Sequence, residues 1–143
     1  MAFVPPDFEP PTALRTEDFV LEPLGPQHNE ADYAAWSSSM EHVRATVRFK
    51  GDDWPREMSL DENRADLERH ARDFAERKGF TYSVLDPAGT VIGCVYIYPD
   101  KRGESDAKVN SWVRERDADL DGPLRERVTR WLDEDWPFQR VTY

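Results

Sequence analysis

The residues whose types and spacing most suggest chemistry are Asp117-Ala118-Asp119-Leu120-Asp121-Gly122. They lie between an apolar, strand-like run that ends at Val113 and an apolar helical stripe that starts near Leu124. A strand–loop–helix junction of this kind often binds phosphate, because free backbone N–H groups and the helix dipole favour an anion. Three carboxylates in the loop oppose that use, so the sequence leaves the chemistry of this junction open.

A calcium site is one alternative for this loop. The three aspartates and Gly122 match the first, third, fifth and sixth positions of an EF-hand loop. Val128 stands where that loop needs a bidentate glutamate, and the preceding segment is strand-like where an EF-hand needs a helix. We therefore expect no metal site. The simplest alternative is that Asp121 caps the helix and the other acids favour its N-terminus.

Other candidate reactive groups are few. His70 lies near the apolar face of a helix predicted from about 60 to 78, where it is either a half-buried structural histidine or a general base. Cys94 is the single cysteine and lies inside an apolar strand, so we expect an inert core thiol. Aromatic residues that could line a cleft, or pack in the core, are Trp54, Tyr82, Tyr96, Tyr98 and Trp112.

These residues must be positioned by elements in the order β, α, α, β-hairpin, β, α, β. Residues 1–18 read as an extended, proline-rich arm, and residues 19–143 as a single domain. One helix is predicted from a cap at Asn29 through Val43, and a turn at Gly51-Asp52-Asp53. The run from Val91 to Tyr98 is apolar on both faces, which is typical of a central strand covered by helices on each side.

This order resembles the GNAT acyltransferase superfamily, whose members move an acyl group from acyl-CoA to an amine. Three segments carry the resemblance: Val91 to Pro99 is similar to the third strand of the family, Val109 to Val113 to its fourth, and Asp121 to Leu132 to the helix that holds the CoA pyrophosphate. The resemblance implies an α/β (α+β) fold: a mixed sheet with a mostly antiparallel centre and helices on both faces.

The resemblance also implies a function and a site. We expect an N-acyltransferase that moves an acetyl group from acetyl-CoA to a small-molecule or peptide amine, with His70, Glu104 or an ordered water as the base. The implied cofactor-binding residues are Trp112, Val113, Arg114, Arg116, Gly122, Leu124 and Arg125. The phosphate loop departs from the family pattern, since carboxylates occupy its neighbouring sites and Gly122 is its one glycine. The alternative is a GNAT-like module that binds a ligand or partner without catalysis.

The sequence ends at Tyr143, where members of the family continue with a helix and two strands. In the family, that portion usually supplies the tyrosine that protonates the leaving thiolate. The strand expected over 138–143 would leave an unpaired edge, so we expect a homodimer.

Composition restricts the partners. With 19 Lys and Arg against 29 Asp and Glu, the formal net charge is −10, which argues against binding to nucleic acid or to an anionic membrane surface. No apolar run approaches the roughly 20 residues that span a bilayer, and no secretory signal is visible, so a cytoplasmic protein is expected.

Overall fold

A computed structural model describes residues 2–46 and 54–143, and the turn predicted at 51–53 lies outside the described residues. Six strands and four α-helices form in the described part of the chain. The strands are β1 (Leu14–Arg15), β2 (Val20–Pro23), β3 (Phe80–Leu85), β4 (Val91–Pro99), β5 (Ala107–Val113) and β6 (Val141–Thr142). The helices are α1 (Asn29–Ser37), α2 (Met40–Thr46), α3 (Leu60–Ala75) and α4 (Asp121–Asp135), with 3-10 turns at Pro26–His28 and Glu115–Leu120.

The strands form one sheet in the order β1-β2-β3-β4-β5-β6. Every neighbouring pair is antiparallel except β5 and β6, which are parallel and are joined through α4. A parallel pair needs such a crossover, whereas antiparallel neighbours need only a turn. The expected mixed sheet with an antiparallel centre and one late βαβ unit is confirmed.

Helices cover both faces of the sheet, as expected. On one face, α1, α2 and α3 pack with Leu67, Cys94, Tyr96 and Trp112 in a shared buried cluster. On the other face, α4 buries its apolar stripe of Leu124, Val128, Trp131 and Leu132 against alternate strand residues. The strand β4 is buried along most of its length because both layers rest on it.

The region predicted as one helix over 29–43 is two helices. Ser38 and Ser39 separate α1 from α2, and the N–H of Ser39 donates to the carbonyl of Trp36 at 3.0 Å. The Ser39 hydroxyl accepts from the N–H of Glu115 at 2.9 Å, which fastens this break to the segment after β5. Asn29 is not a cap. It is the first residue of α1, and its amide nitrogen donates to the carbonyl of Leu60 across the helix layer.

The helix α3 begins as predicted and ends earlier. Ser59 and Glu62 form a reciprocal capping box at its start, with both hydrogen bonds at 3.0 Å. At its end Arg77 takes the left-handed conformation with φ 62°, in a Schellman motif. Gly79 is therefore not the residue that ends the helix. Glycine is needed there because a Cβ would come within 2.1 Å of the Tyr98 ring.

The first eighteen residues, expected as an extended arm, lie against the domain. Leu14 and Arg15 form β1 and pair with β2, and Val4 is buried in the core beneath α4. The Arg77 guanidinium donates to the carbonyls of Pro5 and Phe8, at 2.7 and 2.8 Å. The N-terminal segment is thus held by a strand pair, by apolar contacts and by hydrogen bonds from Arg77 and Tyr82. No helix within the described ranges is long and apolar enough to cross a membrane.

Candidate functional site

One edge of β5 is left without a strand partner over most of its length. β6 pairs with β5 only at Ala107 and Lys108, whereas β4 pairs with it as far as Val113. Arg114 N–H donates to the carbonyl of Ile92 on the β4 side, at 2.9 Å. Backbone groups alternate in direction along an antiparallel pair, so the N–H groups of Ser111 and Val113 point away from β4. Within the described ranges no strand meets them, and they can bind an extended ligand.

The segment that follows β5 satisfies its own polar groups. Over Glu115–Leu120 the chain forms a 3-10 helix, in which the Asp117 N–H donates to the carbonyl of Arg114 at 2.9 Å. The Arg114 Nε atom donates to the Asp117 carboxylate. The N–H of Asp121 is bonded to the carbonyl of Ala118. These contacts leave few backbone donors at the junction where the resemblance implies phosphate binding.

The start of α4 shows that the predicted cap is wrong. Asp121 is the first residue of the helix, and Leu120 precedes it as a cap that makes no side-chain hydrogen bond to the first turn. Gly122 follows in open space, where a Cβ would meet no atom within 4 Å. Pro123 has no N–H to offer, because its nitrogen is in the ring. The first turn therefore cannot offer a ligand the N–H of Asp121, which is already bonded, or any N–H at Pro123.

Tyr143 lies beside the unpaired edge of β5. Its hydroxyl is 2.6 Å from the Ser111 hydroxyl, and burial raises the pKa of this phenol to about 12. Arg125, in the first turns of α4, places its guanidinium carbon 4.3 Å from the centre of the Tyr143 ring. Arg125 also donates to the carbonyl oxygen of Tyr143 at 3.2 Å. The Arg125 side chain is therefore already engaged by the protein.

Three indole rings connect β5 to the helices on the opposite side of the sheet from α4. Trp112 is fully buried, and its ring centre is 5.9 Å from that of Trp54, which in turn lies 5.7 Å from Trp36. Trp36 forms the wall of an open cavity of about 500 Å³. The cavity is lined by Tyr33, Trp36, Ser37, Met40, Glu57 and Met58. The Glu57 carboxylate and the partly exposed Tyr33 ring can attract an organic cation there, since aromatic faces attract positive charge.

A polar network that the sequence did not reveal lies between these indoles and the sheet. Asp32 is 3 % exposed, and its carboxylate accepts from Asn63 at 3.1 Å and from the Cys94 thiol at 3.4 Å. Burial is the main cause that raises the pKa of Asp32, and burial also raises the pKa of Cys94. Asn63 accepts from the indole N–H of Trp36 at 3.1 Å, so the network fixes the wall of the cavity. The available signal was that Asn29, Asp32 and Trp36 share one face of a helix.

His70 is half-buried and hydrogen-bonded between α3 and β4. Its Nδ1 atom is 2.8 Å from the Tyr98 hydroxyl, which donates to the Asp73 carboxylate at 2.9 Å. Because the phenol has one hydrogen, Nδ1 is the donor in the first contact, and Thr81 adds a contact at 3.2 Å. Burial lowers the pKa of His70 to about 4. The ring is therefore neutral at pH 7.

His70 does not meet the β5 edge directly. The Tyr96 ring lies between them: its centre is 5.6 Å from that of His70, and its hydroxyl accepts from Trp112 Nε1 at 2.9 Å. Glu104 lies further away, in the exposed turn between β4 and β5, at the opposite end of β5 from Val113. The backbone oxygen of Glu104 accepts from Arg140 at 3.2 Å. The structure does not bring these two candidate bases together.

The expected cofactor-binding residues do share one continuous segment at the C-terminal end of β5, but their side chains differ in role. Trp112, Val113 and Leu124 are fully buried, so only their backbone could contact a ligand. Arg116 is exposed, whereas Arg114 and Arg125 have partners within the protein. In the part of the chain that the structure describes, no group of three or more acidic, His or Cys side chains is arranged to hold a metal ion.

The geometry is similar to that of solved acetyltransferases. Ribosomal-protein-S5-alanine acetyltransferase from Vibrio fischeri is 13% identical and matches 92% of this chain and 72% of its own, with a TM-score of 0.69. The microcin C7 self-immunity acetyltransferase MccE, solved with acetyl-CoA and AMP, is 12% identical over 87% of this chain and 67% of its own, with a TM-score of 0.68. The ribosomal L7/L12 α-N-protein acetyltransferase RimL is 14% identical over 86% and 64%, with a TM-score of 0.57.

No family model matches the sequence, and no curated protein does. The likeness therefore rests on three-dimensional structure at low identity. It extends over most of the chain. The chain has the fold of the GNAT acetyltransferases.

Proposed function

We propose that this protein is a GNAT-like N-acyltransferase that moves an acetyl group from acetyl-CoA to an amine. The observation that carries the proposal is the unpaired edge of β5, where the N–H groups of Ser111 and Val113 face away from β4. Preorganised N–H donors aimed at a carbonyl oxygen stabilise the negative charge that develops there during acyl transfer.

The residues present fit one part of acetyl-CoA. The pantetheine arm carries amide groups that suit the β5 edge, and its thioester carbonyl would accept from Ser111 or Val113. The segment after β5 fits the pyrophosphate poorly, because its N–H groups are bonded within the 3-10 turn and its carboxylates repel phosphate. When bound, acetyl-CoA would supply the activated acetyl group.

The acceptor is proposed to be a cationic amine on an apolar or peptide scaffold. The cavity beside Trp36 offers the Tyr33 ring and the Glu57 carboxylate. Contacts among the Trp36, Trp54 and Trp112 rings link it to β5. The net charge of −10 attracts cations in general. Neither His70 nor Glu104 meets the β5 edge, so we propose that an ordered water takes the proton of the attacking amine.

The test combines binding and turnover. We expect calorimetric heat on titration with acetyl-CoA at up to millimolar concentration. We also expect release of free thiol when a panel of primary amines and N-terminal peptides is added. A Val113→Pro variant removes one N–H from the unpaired edge without removing a bond to β4, so it should weaken both signals while the melting temperature reports its folding. If the folded wild-type protein gives no binding heat with acetyl-CoA and releases no thiol, the proposal is refuted.

A second candidate is a binding module without catalysis. It is favoured by Tyr143, which occupies the space beside Ser111, and by the carboxylates after β5. In this case the cavity at Trp36 would still bind a cation, and CoA would give no heat.

We retain the proposal of a homodimer because the outer edge of β6 has no partner strand among the described residues. Light scattering that shows a monomer at high micromolar concentration would contradict it.

A further inference from the structure

We infer that the donor site at the β5 edge recognises the pantetheine thioester and not the nucleotide of CoA, so that a nucleotide-free pantetheine thioester is an equally good donor. The inference rests on the proposed function and narrows its donor class. Its basis is a mismatch in one place: the β5 edge suits a pantetheine arm, whereas the segment that follows does not suit phosphate.

Backbone N–H groups at the start of α4 are mostly engaged within the protein. A phosphate site at a helix N-terminus needs several free N–H groups that point at one place. Here the N–H groups of Asp117 and Asp121 are bonded to the carbonyls of Arg114 and Ala118, and Pro123 has none. Three backbone positions that would supply an anion cradle are therefore not available to a ligand.

The second step concerns charge. Residues 114–125 carry four carboxylates and three guanidinium groups. Arg114 is held by the Asp117 carboxylate, and Arg125 lies over the Tyr143 ring and donates to its carbonyl. Arg116 is left exposed to solvent, where its attraction for an anion is screened. The local charge is therefore negative where the phosphates of CoA would approach.

The third step concerns the reaction itself. A C–N bond forms to the acetyl carbon, the acetyl C–S bond breaks, and the sulfur leaves as a thiolate. The amine proton passes to water and then to the thiolate, which becomes the free thiol. This balance is the same for acetyl-CoA and for S-acetylpantetheine. The nucleotide can change the rate only through binding. Among the described residues after β5, the Asp117 and Asp121 N–H groups and two of the three guanidinium groups are already engaged by the protein.

Calorimetric titration tests the inference without turnover. The full chain is titrated with CoA and with pantetheine at low and at high salt. We expect dissociation constants within about ten-fold of each other. Pantetheine should be favoured further at low salt, because the repulsion between CoA and the carboxylates is less screened there. Initial rates with acetyl-CoA and S-acetylpantetheine should show the same ratio. CoA bound about a hundred-fold more tightly than pantetheine would overturn the inference.

A pair of matched variants isolates the charge. Asp119→Asn/Asp121→Asn should tighten CoA binding several-fold and leave pantetheine binding unchanged. Asp133→Asn/Asp135→Asn makes the same change of net charge at the other end of α4, where both side chains are exposed, and should change neither. Equal effects of the two pairs on CoA would also overturn the inference. If neither thiol binds and neither thioester acetylates an amine, the proposed function itself is refuted, which is a distinct result.

Discussion

The burial of His70 makes a quantitative prediction about stability against pH. Burial lowers the pKa of this imidazole from its ordinary 6.5 to about 4, with a smaller contribution from the charge of Arg69. As pH falls, the unfolded chain binds this proton before the folded chain does. The contribution of neutral His70 to stability is therefore fully present above about pH 6.5 and is lost progressively toward pH 4.

The magnitude follows from these two values. At about pH 4.5 the unfolded imidazole is almost fully protonated, whereas the folded one is about one quarter protonated. The difference in proton binding lowers the free energy of unfolding by about 2.5 kcal/mol relative to pH 7.5, since each unit of pKa shift is worth about 1.4 kcal/mol. A His70→Gln variant retains a hydrogen-bond donor toward Tyr98 and has no such titration.

Urea unfolding of both proteins at about pH 7.5 and about pH 4.5 measures the effect, because the carboxylates titrate alike in both. The variant should lose about 2.5 kcal/mol less than the wild type between these two conditions. An equal loss in the two proteins, within about 0.5 kcal/mol, would refute the burial of His70 as a neutral group.

Three further predictions concern single residues and are checked by urea unfolding at neutral pH. Gly93→Ala should destabilise the fold by about 3 kcal/mol or more, because its Cβ would lie 2.1 Å from the carbonyl oxygen of Trp112; no change would contradict the close approach of β4 to β5. Ser59→Ala should cost about 1 kcal/mol, because the N–H of Glu62 loses its acceptor. Leu124→Ala should cost about 2–5 kcal/mol, because this side chain is fully buried between α4 and the sheet.

Much of the fold could be predicted because local patterns and tertiary packing agree. The capping box predicts α3, and an apolar run on both faces predicts β4. A stripe of apolar residues at helical spacing predicts α4. The parallel β5–β6 pair follows once α4 is accepted as a crossover. In these elements no long-range contact overrides the local preference.

The errors arise where a distant group decides the local structure. The break between α1 and α2 lets Ser39 accept from Glu115, which lies 76 residues further along the chain. Glycine is required at position 79 because the Tyr98 ring leaves no room for a Cβ. The left-handed residue that ends the helix is Arg77. The helical period alone does not encode contacts of this range.

The candidate site was predicted less well for the same reason. The segment from Trp112 to Arg125 is continuous in sequence, so its place at the end of β5 could be predicted from element order. Glu104 lies at the opposite end of that strand, which depends on the length and direction of the β4–β5 hairpin. Asp32 was missed because its partners, Asn63 and Cys94, come from two other elements.

The chain of indoles at Trp36, Trp54 and Trp112 has an optical consequence. Ring centres 5.7 and 5.9 Å apart, at interplanar angles of 58° and 47°, place three chromophores close enough for their excited states to couple. The near-ultraviolet circular dichroism of the folded protein should therefore contain a coupled tryptophan signal. One ring lies on β5 and another lines the cavity. The signal therefore reports ligand binding at the β5 edge or in the cavity without a label.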